Sequence, residues 1–243
     1  MSEMLPETIS DIWVYLSASP LLALTMTLVV YQGAQWLHQR AGRPALLNPV
    51  LVAVTCLVAI LVATGTSYQT YFEGAQFIHF LLGPATVALA IPLYRQFDRV
   101  RRSALALLAS LLIGSLTAMG TALAIGYGMG LDHVSLVSLA PKSVTAPVAM
   151  GIADKLGGLP SLTAVFVIVT GILGGALGPL LLDRLKIGDP AARGFALGTA
   201  SHGIGTARAL QESEVAGAFS GLAMGLNALA TAILLPLIWS LLS

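Results

Sequence analysis

Apolar positions in this chain gather into runs too continuous for one face of a soluble helix or strand. Seven stretches carry no charged residue or almost none: 20–37, 46–64, 75–94, 103–126, 161–182, 194–211 and 215–242. A helix crossing a ~30 Å hydrocarbon core needs about 20 mostly apolar residues, so each stretch has roughly the length of a crossing. The pattern predicts an all-α, polytopic transmembrane protein of about seven spans, a single domain over 20–243 behind a mobile N-terminus at 1–19. That terminus carries Glu3, Glu7 and Asp11 and lacks the basic start and apolar core of a signal peptide. An eighth segment, 135–156, differs from the others. Pro141, Lys142, Ser143, Thr145 and Pro147 crowd into its middle, and two prolines interrupt any helix there.

Charge placement orders these segments, because short cytoplasmic loops retain Lys and Arg. Arg40 and Arg43 share one loop, Arg95, Arg99, Arg101 and Arg102 a second, and Arg184, Lys186 and Arg193 a third. The loops between them carry Glu73, then Asp132, then Glu212 and Glu214, and no cation. For the three basic loops to share a side, the chain must cross an odd number of times between Asp132 and Arg184. Since 161–182 is one crossing, 135–156 is expected to be a re-entrant hairpin, with the N-terminus outside and the C-terminus inside the bacterial inner membrane. The competing reading, a full but broken crossing, would put Arg184, Lys186 and Arg193 outside.

Self-comparison adds a second layer, since transporters are often built from duplicated halves. Sliding the chain by 58 residues lays Leu139–Lys155 over Leu197–Ser213, with Leu139 on Leu197, Ser143 on Ser201 and Ala149 on Ala207. Both segments interrupt an apolar stretch with helix breakers, hydroxyls and one cation. A looser match sets 48–126 beside 161–242 as inverted triplets, each reading helix, interrupted segment, helix. Chance resemblance among Gly- and Ala-rich helices is the alternative.

Non-helical backbone at membrane depth persists only where protein buries it or a wet cavity receives it, because unpaired amides in lipid cost several kcal/mol. The breakers therefore mark a candidate cavity. Lys142 has no acidic partner in its own segment, although a lysine there costs about 2.5 to 3.5 kcal/mol to insert. An anionic ligand is one natural partner; snorkelling to the interface is the other reading. Ser143 and Thr145 add two hydroxyls beside it. Opposite them, Ser201, His202, Gly203, Gly205, Thr206 and Arg208 form a second candidate cluster, with free amides near the glycines suited to a carboxylate. His202 is the candidate for proton coupling, since imidazole titrates near neutrality. Arg208, at the expected outer end of its segment, equally suits interfacial anchoring. Gln76 and His79 lie one turn apart before the Leu82-Gly83-Pro84 interruption, and Asn227 stands alone in an apolar helix; these read as cavity lining or as inter-helix hydrogen bonding.

Composition closes off other classes. Only 9% of residues are charged, and 12 Lys and Arg face 11 Asp and Glu, so no basic field exists for nucleic acid. The one cysteine, Cys56, supplies neither a disulfide framework nor a metal cluster. No phosphate loop, H-E-x-x-H or Gly-x-Ser-x-Gly elbow is present. Neither a cofactor nor an enzymatic role is expected.

The segments GAQFIHFLLGPATVALAIPLY (74–94), LAPKSVTAPVAMGI (139–152), GGLPSLTAVFVIVTGILGGALGP (157–179), DPAARGFALGTASHGIGTARAL (189–210) and GAFSGLAMGLNALATAILLP (217–236) together resemble the LrgB/CidB family of bacterial membrane proteins. The resemblance implies two roles that disagree. One is a holin-like or antiholin-like factor modulating murein hydrolase export and autolysis beside a smaller LrgA/CidA-like membrane partner. The other is exchange of short carboxylates, such as glycolate and glycerate in plastid relatives and pyruvate in bacterial ones. The residues themselves favour a secondary carrier of small monocarboxylates working by alternating access. The glycines Gly171, Gly174, Gly175 and Gly178 permit close helix contact within one chain or in a homo-oligomer.

Overall fold

The computed structural model describes residues 20–42, 47–88 and 90–242, and among them every regular element is helical. The expected mobile terminus at 1–19 lies outside these residues, as does the side chain of His79. The chain divides into two compact units, Met1–Val87 and Ala88–Ser243.

The first unit holds α1 (Pro20–Arg40), α2 (Pro49–Thr64) and most of α3 (Tyr68–Ala88). Asn48 starts α2 by accepting from the Val50 amide at 2.9 Å, with Pro49 behind it where a missing N–H costs nothing. Gly65, at φ 64°, ends it in the left-handed conformation. Thr27 and Tyr71 join α1 to α3 through their hydroxyls, 2.7 Å apart.

In the second unit run α4 (Ala90–Arg95), α5 (Phe97–Arg102), α6 (Ala104–Gly128), α7 (His133–Leu139), α8 (Ala146–Lys155), α9 (Pro160–Arg184), α10 (Pro190–Glu212) and α11 (Glu214–Leu242). Three helices among the described residues are long and apolar enough to cross a membrane, α6, α9 and the Glu214–Ser240 part of α11; Pro49–Thr64 in the first unit is a shorter apolar helix.

Ion pairs define one end of this unit. Arg99 pairs with Asp189, Arg95 with Glu214, and Arg193 with both Asp183 and Glu212. At the far end of α6 and α11, the His133 ring meets Trp239 edge-on, with centroids 5.2 Å apart.

The stretch 194–211, expected to cross, instead turns back. Ser201 and His202 leave the helical region, His202 at φ 41° and ψ −132°, and 203–212 then runs antiparallel to 190–200. Arg193 Nε reaches Glu212 Oε2 at 2.9 Å across the two arms. A Cβ on Gly205 would fall 2.4 Å from the Leu197 carbonyl, so hydrogen alone fits where the arms close. Glu212 and Glu214 consequently share the end that holds Arg184 and Arg193, rather than the opposite one that loop charge suggested. The C-terminal end of α11 lies beside His133, at the end opposite the arginines, which reverses its expected placement relative to the basic loops. The physical cause is local: the glycine at 205 lets the arms approach, and the ion pair between 193 and 212 fastens their bases.

The other interrupted segment consists of α7 and α8 around 140–145, where Pro141 and Pro147 withhold amides. After α8 the chain comes back against α7, and the Leu159 amide donates to Ser138 Oγ at 2.8 Å. The unit therefore reads long helix, broken segment, long helix, broken segment, long helix. The 58-residue offset that lays Ser143 on Ser201 also lays 160–184 on 218–242, within α9 and α11. The broken segments start at opposite ends: α7 near Trp239, α10 near Arg99.

Candidate functional site

Both interruptions meet near the midpoints of the three long helices. Asn227 of α11, 1% exposed, joins them: its Nδ2 donates to the Ser143 carbonyl at 3.2 Å and to the Thr199 carbonyl at 2.9 Å. Its Oδ1 accepts from Ser115 Oγ of α6. The amide thus uses both donor hydrogens on the two breaks at once. On the other side stands Val167 of α9. Its carbonyl accepts from His202 Nε2 at 2.9 Å, which places a proton on that nitrogen, while its side chain packs with Val144 and Ala149.

Lys142 is half-buried within the first break, and its Nζ donates to Ser143 Oγ at 3.2 Å. Among the described residues no carboxylate pairs with it. Thr145 is the residue before α8, and its hydroxyl makes no cap bond. The N-termini of α8 and of the 203–212 arm both start at this crossing, and each carries free amides and the positive end of a helix dipole. A cation without a carboxylate, two helix N-termini and neighbouring hydroxyls compose a surrounding that favours a small anion.

The remaining candidates fall into different places. Ser201 is fully buried against Gly174, and its Oγ has no hydrogen-bond partner. Gly203 is exposed at the tip, and Gly205 is buried in the arm contact. Thr206 is committed within the protein: Oγ1 donates to the His202 carbonyl at 2.9 Å and lies 3.0 Å from Ser220 Oγ. Arg208 points along the returning arm to Gln211 Oε1 at 3.2 Å, on the side of the ion-paired end rather than the far one. Gln76 belongs to the first unit, where its Nε2 donates to the Glu73 carbonyl at 2.8 Å.

Sequence reasoning missed Ser115, Thr199, Ser220 and the Val167 carbonyl. It also missed why Gly171 and Gly174 are needed: a Cβ on either would collide with His202 or Ser201. At the ion-paired end, the Ala192 amide and Arg99 hold the Asp189 carboxyl below its usual range, and Glu212 raises the Arg193 guanidinium.

An all-helical membrane protein with paired interruptions is the class this architecture defines. The LrgB-like family matches residues 27–241. Relatives include the uncharacterized protein YxaC of Bacillus subtilis, 39% identical over 90% of this chain and 94% of its own length. Holin-like protein CidB of Staphylococcus aureus strain N315 is 34% identical over 90% of this chain and 95% of its own. Holin-like protein CidB of Staphylococcus epidermidis strain ATCC 12228 is 34% identical over 92% and 96%. No solved structure matches. The chain belongs to the LrgB-like family.

Proposed function

We propose that this protein is a holin-like or antiholin-like factor of the bacterial inner membrane, in the sense carried by the names of its CidB relatives, and that its elementary act is controlled movement of a small organic anion. The first half rests on those relatives, which align over nearly their full length. The second half is favoured by one observation: two oppositely started broken segments converge, through Asn227, on a lysine without a carboxylate partner. A lesion made by massed oligomers has no need of such a centre. A carrier does, because opposed half-helices around a central site allow access to alternate between the two faces.

In this reading α6, α9 and α11 span the bilayer, 133–156 and 190–212 enter from opposite faces, and the arginine-rich end is cytoplasmic. Lys142, Ser143 and Thr145 hold the carboxylate of a glycolate-, lactate-, pyruvate- or glycerate-sized monoanion. Ser201, His202 and the amides at Gly203 and Gly205 meet it from the second hairpin, and His202 takes part in proton coupling. Moving one charge through 100 mV changes its energy by about 2.3 kcal/mol, so uptake against an inside-negative potential calls for a coupled cation or an exchanged anion. An LrgA/CidA-like membrane protein is the expected partner; the α9 glycines Gly171, Gly174 and Gly178 are taken up by His202, Ser201 and Leu197 of the same chain.

The test is flux in proteoliposomes, with and without an LrgA-like partner. A carrier gives saturable uptake of radiolabelled pyruvate or glycolate, retains an entrapped fluorescent dye, and loses uptake in Lys142→Ala protein that still inserts. Dye release without saturation identifies a lesion-forming holin, and undiminished uptake by Lys142→Ala removes the anion site from this place.

A further inference from the structure

A cavity opens between α9 and the 190–200 arm of the hairpin, with Ser201 of the second break at its inner end. It is a slot of about 690 Å³ with α9 leucines on one wall and Ala196 and Ala200 on the other, bordered by Gly174 and Gly178 where α9 meets the arm. Apart from Arg184 at its mouth and Ser201 at its blind end, its lining is apolar. From Leu173 to Arg184 it runs about 16 Å at 1.5 Å per residue, the depth of one leaflet of a ~30 Å hydrocarbon core. Arg184 and Lys186 are both exposed, and neither has a carboxylate partner among the described residues. Such a slot matches one acyl chain in length and polarity, and its mouth carries the charge that attracts an acidic headgroup.

We propose that this slot holds an anionic phospholipid, one acyl chain lying along the α9 leucines and the phosphate on Arg184 and Lys186. The lipid would complete the wall between α9 and the first arm of the hairpin, tying the seat of that arm to the composition of the leaflet. It requires no transport by the protein, so it stands or falls separately from the carrier reading.

The experiment uses full-length Leu177→Trp protein, which places an indole on the slot wall, reconstituted in phosphatidylcholine vesicles containing dibrominated phosphatidylglycerol or dibrominated phosphatidylcholine at equal fraction. Quenching beyond that of the protein without the added indole reports slot occupancy. The expected result is preferential quenching by the brominated phosphatidylglycerol, reduced about 25-fold in relative affinity by Arg184→Gln with Lys186→Gln, since each basic group near a headgroup contributes about a fivefold preference. Equal quenching by the two lipids overturns the proposal, as does a preference that survives the double substitution. Displacement by glycerol phosphate at the concentration that displaces the lipid would show an anion site without an acyl slot, and overturns it too. As a readout independent of the new indole, wild-type protein in detergent should gain more thermal stability from phosphatidylglycerol than from phosphatidylcholine.

Discussion

His202 sits at φ 41° and ψ −132°, near the first central position of a II′ turn, which glycine visits freely and other residues reach at a cost of about 1–3 kcal/mol. The protein tolerates this because the imidazole gains a hydrogen bond to Val167 on a neighbouring helix. The two contributions can be separated by substitution. His202→Ala loses the bond and keeps the strain, whereas His202→Gly loses the bond and releases it. The glycine variant should therefore unfold at the higher temperature of the two, by roughly 1 kcal/mol of stability, measured in detergent by tryptophan fluorescence. The order reversed would mean that the tip is unstrained. Lys142 and His202 were legible in the sequence because a polar group within an apolar run needs a reason. Ser115 and Thr199 were not, since a hydroxyl in any helix can bond the carbonyl one turn back, as Thr199 does to Phe195 at 2.9 Å. What distinguishes them is the partner on another helix, and no local pattern encodes that.

For whole elements, termini were easier to read than destinations. The N-cap of α10 follows from its sequence: Asp189 accepts from the Ala192 amide at 2.9 Å and precedes Pro190. Its carboxyl is held below the usual range by that amide first and by Arg99 second. A depressed folded value gives stabilisation that is present above the unfolded value of about 3.9 and is lost as pH falls through the folded one. Asp189→Asn keeps the cap and removes the charge. Wild type should be the more stable at pH 7, by under about 1 kcal/mol because the pair is exposed, and the two melting temperatures should converge below about pH 4. A difference that persists in acid would assign the effect to capping geometry. The return of α10 was less accessible to sequence reasoning. Its breakers at Gly203 and Gly205 were visible, but a turn and a tolerated kink look alike until Arg193 is known to reach Glu212. Close packing seals the result: a Cβ on Gly198 would fall 2.2 Å from the Ser220 carbonyl, so the first arm lies against the backbone of α11.

Across the molecule, loop charge gave the correct grouping of Arg99 with the Arg184–Arg193 region, which Asp189 bridges. It misplaced Glu212 and Glu214, because counting signs assumes that every apolar stretch crosses. The 58-residue offset pairs the two breaks, and the helices that follow them, by position in the sequence. In the proposed orientation, 186–189 and 213 face the cytoplasm and the C-terminal end of α11 does not. Single cysteines at Gly188 and Ser213, in a Cys56→Ser background, should both resist an impermeant thiol reagent applied to whole cells and react in inverted vesicles; opposite reactivity at the two positions would restore a crossing between them. The odd number of long helices among the described residues of this unit also has a laboratory consequence. In the proposed orientation, a green fluorescent tag fused beyond the end of α11 would be exported into the periplasm, where it does not mature when secreted unfolded, so darkness there would accompany correct insertion and would not signal failed expression.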